Sequence, residues 1–546
     1  MGKKIGIDLG TTYSCMSYVD DMGVIKIIDN SEGDQTTPSV VYFDPDGSTV
    51  VVGKTAREAG SMNPELLCER VKNYMGDPDY KFYANGVEHS AASVSSIILS
   101  KLISDAELAL GEEIESAVIT CPAYFGENAR AATKMAGENV TLQNGEKLKV
   151  SMILDEPTAA AIAYSKERAA GESKTILIYD LGGGTFDCTV MKLAPGLMQV
   201  VTTGGNHQLG GKDWDAALGE LVRDKFCQAT GADPDAMRED PESKAWFSEN
   251  IEKAKKLLTS KETTFLTPSF DGNKERIEIS REEFDDATAG LLNETIMLVN
   301  DMLEKKGMSM ADIDEIVLVG GSTRMLQVTK RLEAEYGKPL CSYEPDKAVA
   351  MGAALVSANI EELPATGGQA DPENPNPDPA TGGQAGGLVI KDETGSGEAT
   401  KIIQTCTKTY GIGIISGDKQ LVMNLIIKDT PKPAQGRSLD ISPLTITGKP
   451  ELVDSVLIQV YESDSLEHQC EIEDANPVYE EEAITFEGAV KGDSEVSVDL
   501  FVDENGILTL ILTELASNKQ YTMHPRRKGE EDLRAGMEEA SKFRLG

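Results

Sequence analysis

Two stretches of this chain say nearly the same thing. Ile5–Ser17 reads IGIDLGTTYSCMS and Ile176–Val190 reads ILIYDLGGGTFDCTV. In each, an apolar run ends in Asp-Leu-Gly, hydroxyl residues follow, and a cysteine sits in the next run. A strand that ends in an aspartate, turns through glycine and resumes as a second strand is a hairpin whose turn can face a polyanion. Two copies of one hairpin predict two like lobes closing on one ligand.

The residue types fit that ligand. Backbone N–H groups in a Gly-rich turn reach phosphate oxygens only where no side chain intervenes, and hydroxyls add donors. Gly10, Gly182, Gly183 and Gly184 supply the clearance, and Thr11, Thr12 and Thr185 the hydroxyls. A carboxylate beside phosphate repels it unless a cation lies between, so Asp8 and Asp180 imply Mg²⁺ held mainly through water. The plain alternative is a pair of turns shaped by Asp and Gly alone. Repetition of the whole pattern argues against it.

The 546 residues allow two to four domains with large cores. With 52 basic against 91 acidic residues the net charge is −39, which disfavours nucleic acid and anionic membrane as partners. The eight cysteines show no CxxC spacing, so neither a zinc site nor a disulfide framework is expected, and a reducing cytoplasm fits best. No targeting segment is expected before the strand that begins by Ile5, and no long apolar run suggests an anchor.

In chain order, period-2 apolar patterning from Ile5 to about Phe43 predicts a meandering sheet. The VGKTA at 52–56 lacks the leading glycine of a P-loop, and that motif is rejected. Helical periodicity runs from Ser93 to Leu110, a buried run from Ala117 to Cys121 precedes Pro122, and DEPTAAAIAY at 155–164 opens a helix. Pro157 suits its first turn, and the three alanines permit close packing.

At this point GIDLGTTYSC, AVITCPAYFGENARAATKMAG, LDEPTAAAIAY, YDLGGGTFDCTV, LGGKDWD, IVLVGGSTR and PDKAVAMGAA together resemble the ATPase domain of the heat-shock-protein-70 (DnaK-type) chaperones. They follow the family's order over residues 1–362. The resemblance implies an α/β, actin-like fold of two ribonuclease H-like lobes with ATP or ADP between them, Mg²⁺, and K⁺ as a further cation. It implies that Thr11, Thr12, Tyr13 and Gly182 to Thr185 form the phosphate loops, and that Asp8, Asp180 and Asp187 surround hydrated Mg²⁺ and the attacking water. Lys72 matches the catalytic lysine and Glu156 the glutamate of the same network. Gly210, Gly211, Gly320, Gly321, Ser322, Arg324 and Asp346 match the nucleotide side, as do Glu252, Lys255, Lys256 and Thr259. Pro122 and Arg130 match a relay to the neighbouring domain. Read singly, Lys72 is an ordinary lysine and Glu156 a helix-start acid, and Glu252, Lys255 and Lys256 could be an ion-pair stripe on one helical face.

Residues 363–400 turn to low complexity, with PATGGQA at 364–370 and again at 379–385, and predict a flexible Gly/Pro-rich linker. Residues 401–523 return to short strands and predict a β-sandwich. TYGIGI, NLIIKDTPKPA, VLIQVYESDS and DENGILTLILTE resemble the same family's peptide-binding β-domain, and Ile412 and Ile415 are candidate pocket residues. Residues 524–546 are expected to form one short helix, a stub of the family's lid.

Three departures bear on function. The nearest match to the family's apolar linker is Ile402-Ile403-Gln404, without its acid; Met152 stands where J-domain co-chaperones use an arginine, which argues against that partner; and the lid segment is short. The expected function is an ATP-hydrolysing chaperone of extended apolar peptide segments, with room for a nucleotide exchange factor. The runner-up is a nucleotide-controlled interaction protein with a dedicated partner. An actin-fold small-molecule kinase would have no use for the β-module.

Overall fold

A computed structural model describes residues 2–60, 63–166, 172–360, 388–390, 400–449, 451–479, 482–523 and 530–545. The expected linker at 363–400 falls almost wholly outside them.

Lobe I is built on β1 (Lys3–Asp8), which pairs antiparallel with β2 (Tyr13–Val19). On its other side β1 runs parallel to β3 (Ile114–Cys121), which runs parallel to β4 (Lys149–Asp155). Lobe II repeats the plan. Its β5 (Lys174–Leu181) pairs antiparallel with β6 (Phe186–Ala194), and β6 with β7 (Leu197–Asn206). On the far side β5 runs parallel to β8 (Glu315–Val319). In both lobes the central strand therefore has a hairpin partner on one side and parallel strands on the other, as expected for a duplicated, actin-like fold.

Strands flanked on both faces should read as continuous apolar runs, and these do. Ile5 and Ile7 of β1 and Ile176 to Tyr179 of β5 are fully buried. Each such side chain contributes about 1.5–3 kcal/mol on burial.

Helix α1 (Ala91–Leu110) covers the lobe I sheet, and Ser90 caps its first turn through Ser93 N–H. Helix α2 (Glu127–Glu138) links β3 towards β4, and α3 (Glu156–Lys166) leaves β4 directly, with Glu156 its first residue. In lobe II, α4 (Gly211–Thr230) and α5 (Pro241–Ser260) pack on the sheet around the fully buried Trp214 and Phe226.

Between the lobes, α3 lies against α6 (Ala348–Asn359). Here the alanines are used as expected, because the backbones nearly touch. A Cβ on Gly352 would stand 1.8 Å from Ala159 O, and one on Gly6 2.1 Å from Ala354 N. A larger residue at either glycine would push α6 off α3 or off β1.

The segment after the expected linker differs from expectation. Thr400–Ile403, here β9, does not begin the β-module; it extends the lobe II sheet, parallel to β7, with Leu197 opposite Lys401 and Met198 opposite Ile402. Ile402 is 1% exposed and packs in the core between the lobes.

Among the described residues the β-module follows as a five-stranded and a four-stranded sheet with a two-stranded ribbon, sharing one core that contains Ile412, Val456, Leu500 and Leu510. It is the sandwich the alternation predicts. Helix α7 (Glu530–Ala540) packs on α1, burying Met537 and Ala540 in the lobe I core, and Arg544–Leu545 pairs parallel with Thr49–Val52. No described helix is long and apolar enough to cross a membrane.

Candidate functional site

The turns of the two hairpins face one another across the cleft. Lobe II presents Gly182 to Thr185. Gly182 N–H donates to Thr185 O at 3.0 Å, closing the turn, while Gly211 N–H donates to Gly182 O and Lys212 N–H to Gly183 O. The start of α4 is thereby laced to the loop. A Cβ on Gly210 would stand 2.5 Å from Gly184 C, so that lacing requires glycine.

The loop also lies against its twin. A Cβ on Gly183 would stand 1.9 Å from Thr12 Oγ1, and one on Gly184 2.6 Å from Thr11 Cγ2. Gly320, at φ +81, closes the back of the same loop: a Cβ there would meet Leu181 O at 2.3 Å and Asp180 Oδ1 at 2.5 Å. Ser322 Oγ donates to Gly182 O at 2.9 Å.

Below the turns stand the charges. Lys72, in the single helical turn Val71–Tyr74, forms a buried ion pair and hydrogen bond with Glu156 at the start of α3. Asp8 ends β1 and accepts a hydrogen bond from Thr120 Oγ1 at 3.3 Å. Asp180 and Asp187 sit opposite each other in the β5–β6 register, 8% and 2% exposed.

Several carboxylates therefore share one lysine in a dry place. Burial, then the Glu156 charge, pushes Asp8 up to about 7 despite Lys72 and Thr120. The same two causes hold Asp180 and Asp187 well above the ordinary carboxylate range. Burial opposes the Lys72 charge, but Glu156 and Asp8 outweigh it and raise its pKa. Asp187 Oδ1 is buried with no hydrogen-bond partner. Such a donor set has an excess of negative charge that a cation would offset. Among the described residues no three acids, histidines or cysteines converge closely enough to ligate a metal directly.

Tyr13 reaches across to lobe II. Its hydroxyl donates to the Glu252 carboxylate at 3.1 Å, and Lys256 Nζ lies 2.9 Å from Glu252 Oε1 and 4.9 Å from the centre of the Tyr13 ring. Against the cost of burial, Lys256 and Arg57 pull Glu252 below its usual range. Lys255, 8% exposed, turns the other way, to Gly211 O and Asp215, each at 2.9 Å. Arg324 pairs with Asp346 at 2.7 Å. Thr259 bonds back to Lys256 O in its own helix, and Gly321 faces open space among the described residues.

Arg130, one of the two expected relay residues, lies beside the β-module, against Gly506. Arg130 Nε and Nη2 donate to Phe125 O and Ala123 O, holding the turn that Pro122 begins. Ile412 is a fully buried core residue of the β-module, whereas Ile415 is half-buried, its Cδ1 3.2 Å from where a Cβ on Gly448 would stand.

Sequence reasoning missed Thr120, Arg57 and Asp215, each of which touches an expected site residue. Thr120 carried a signal, standing within the buried run before Pro122. Arg57 sat in the stretch read only to reject a P-loop, and Asp215 in LGGKDWD was passed over beside its glycines.

Comparison with known proteins agrees with this geometry. The family model described as Hsp70 protein matches residues 4–362. The Chaperone protein DnaK of Thermotoga neapolitana is 32% identical over 557 residues, spanning 99% of this chain and 83% of the relative. Those of Thermotoga petrophila and Thermotoga maritima are each 40% identical over 362 residues, 65% of this chain and 59% of the relative. A duplicated fold, two facing Gly-rich hairpins and matches of this extent place the chain in the Hsp70 family of ATP-hydrolysing molecular chaperones.

Proposed function

We propose that ATP is hydrolysed between the two hairpins by Lys72, Glu156, Asp8, Asp180, Thr185 and Asp187, and that the β-module holds extended apolar peptide segments under the control of that reaction. The carrying observation is the buried Lys72–Glu156 pair set among the carboxylates that end β1 and β5.

Phosphoryl transfer to water needs charge neutralisation and positioning more than a covalent nucleophile. Thr11, Thr12, Thr185 and the amides of Gly183 and Gly184 donate to the phosphate oxygens, while the Gly182 amide closes the turn on Thr185 O. Gly10 supports the lobe I turn, where a Cβ would lie 1.9 Å from Tyr13 O. Lys72 places a fixed charge beside the γ-phosphate, and Glu156 holds the lysine in place. Asp187, with its unpartnered Oδ1, accepts from the attacking water and orients it. The donor set fits Mg²⁺ held by Asp8 and Asp180 through water, where it would offset the phosphate charge. Tyr13, Glu252, Lys255, Lys256, Gly210, Gly211, Gly320, Ser322, Arg324 and Asp346 form the nucleoside side, with Gly321 and Thr259 at its margin.

For the peptide, Ile415, half-buried, is the candidate that reaches the surface, whereas Ile412 is fully buried. Met152 is buried at 7% exposure and carries no charge, which supports a chain that does without ordinary J-domain control. The dedicated-partner reading is not favoured, because the likeness to a chaperone runs through the β-module as well.

The test is Lys72→Ala in a single-turnover assay. Nucleotide affinity should hold while hydrolysis falls about 10²–10³-fold. A variant that hydrolyses at the original rate would show the lysine misassigned.

A further inference from the structure

A second cluster of buried charge lies where the β-module meets lobe I. Asp155, the last residue of β4, stands one residue before Glu156. Arg130 Nη1 is 2.6 Å from Asp155 Oδ1, a charge contact off the hydrogen-bond axis, and Lys432 Nζ of the β-module is 3.6 Å from Asp155 Oδ2. Arg130, Asp155 and Lys432 are 2%, 3% and 4% exposed.

Contacts around the cluster bring the β-module close. Asn505 Oδ1 accepts from Ile153 N–H at 3.0 Å. Gly506, at φ +82, lies flat on Arg130, where a Cβ would stand 2.7 Å from Arg130 Cδ. Thr407 Oγ1 donates to Phe125 O at 3.4 Å.

The charge balance is uneven. Facing the Lys432 ammonium are Asp155, the Arg130 guanidinium, and the thiols of Cys121 and Cys406. Beyond Arg130 stand Tyr410 and the acids Glu127 and Glu462, which repel each other at the start of α2. Two cations thus share one carboxylate that Arg130 already holds at the shorter distance. Taking an ammonium out of water is returned only by close, well-aligned pairing. Lys432 has a long contact to Asp155 and a like charge beside it. Burial, and then Arg130, pull it below the ordinary lysine range.

We propose that Lys432 is the release element of this seat: its buried charge weakens the β-module's hold on lobe I, while Asp155 is the carboxylate that makes the hold attainable. Since Asp155 adjoins Glu156, the same short backbone carries both the seat and the proposed catalytic pair. Arg130 alone would satisfy Asp155, and an apolar side chain of lysine's length would fill the Lys432 site at lower cost. The β-module would then remain seated. Nothing in the hydrolytic assignment is needed for this inference, which concerns docking.

The experiment is amide hydrogen exchange on the full chain, with and without Mg·ATP, read at residues 400–403. Their pairing with β7, including Lys401 N–H to Gly196 O, protects them, and Gln404 O, the next residue, accepts from Lys432 N–H at 2.8 Å, which ties the strand to the seat. Lys432→Met should slow exchange there at least about fivefold, Lys432→Arg should match the unsubstituted chain, and Asp155→Asn should speed exchange at least about fivefold. An Asp155→Asn chain that fails to fold would lose protection throughout α1, and Lys432→Met then carries the test alone. The proposal is overturned if Lys432→Met exchanges as fast as the unsubstituted chain or faster, if Lys432→Arg behaves as Lys432→Met, or if the unsubstituted strand is unprotected in both conditions. ATP hydrolysis measured on the unsubstituted sample separates the two readings: its absence would refute the catalytic assignment and leave the exchange result standing.

Discussion

The β1–β2 and β5–β6 hairpins share a plan and divide the work. Both end a buried strand in aspartate and turn through glycine. Around Asp8, however, lobe I gathers side-chain chemistry: the Thr120 hydroxyl and the Lys72–Glu156 pair. Around Asp180, lobe II gathers backbone. Gly182 to Gly184 are laced to Gly210, Gly211 and Lys212, and Gly320 sits where only glycine fits. A duplicated element thus stands beside the lysine–glutamate pair on one side of the cleft and carries the glycine-shaped turn, with Asp180 and Asp187 at its base, on the other, and phosphoryl transfer asks a site for both charge and shape.

That division can be broken by substitution on either side. The largest effect is expected from Lys72→Ala, on the rate and not on the affinity. Next is Gly183→Val on the lobe II side, where even a Cβ would lie 1.9 Å from Thr12 Oγ1. Nucleotide affinity should fall about 10²-fold, read by calorimetry, while the little nucleotide that binds is turned over near the normal rate. Smaller again is Asp8→Asn, which should raise the Mg²⁺ concentration for half-maximal hydrolysis about tenfold with a modest change in maximal rate. A metal titration that does not move would detach Asp8 from the cation.

The raised pKa values sharpen the comparison by pH. An acid whose folded pKa lies above its unfolded value costs stability once pH rises past the unfolded value, and the cost grows until the folded pKa is passed. For Asp8 that window runs from the ordinary aspartate value of 3.8 to about 7. Within it the apo chain should lose stability as pH rises, and Mg·ATP uptake should release protons, because a bound cation favours the ionised carboxylate. Calorimetry in buffers of different ionisation enthalpy reads this, and proton uptake at pH 6 would contradict it. The smallest effect is expected from Tyr13→Phe. It removes the hydroxyl that joins the lobes through Glu252, and nucleotide release should quicken about threefold to tenfold.

Much of this was legible because it is local. The hairpins, the start of α3 at Glu156 and the close packing of its alanines follow from strand period, proline placement and residue size. Three features were not. Thr400–Ile403 reads as a β-branched strand in either unit, and only the position of β7 decides which sheet it joins. The docking of α7 on α1 depends on matched apolar faces far apart in the chain, which sequence spacing does not reveal. Asp155 and Lys432 look like a helix-start acid and a loop lysine until the fold buries them together. Local periodicity predicts elements; which elements meet is a tertiary matter.

The most direct measurement takes Lys72→Ala and Gly183→Val side by side, recording nucleotide affinity and single-turnover hydrolysis for each. The two variants should split in opposite ways: the lysine variant binds and hydrolyses about 10²–10³-fold more slowly, and the glycine variant hydrolyses what it can barely bind. If both lost affinity alone, or both lost rate alone, the division of labour between the two hairpins would be wrong.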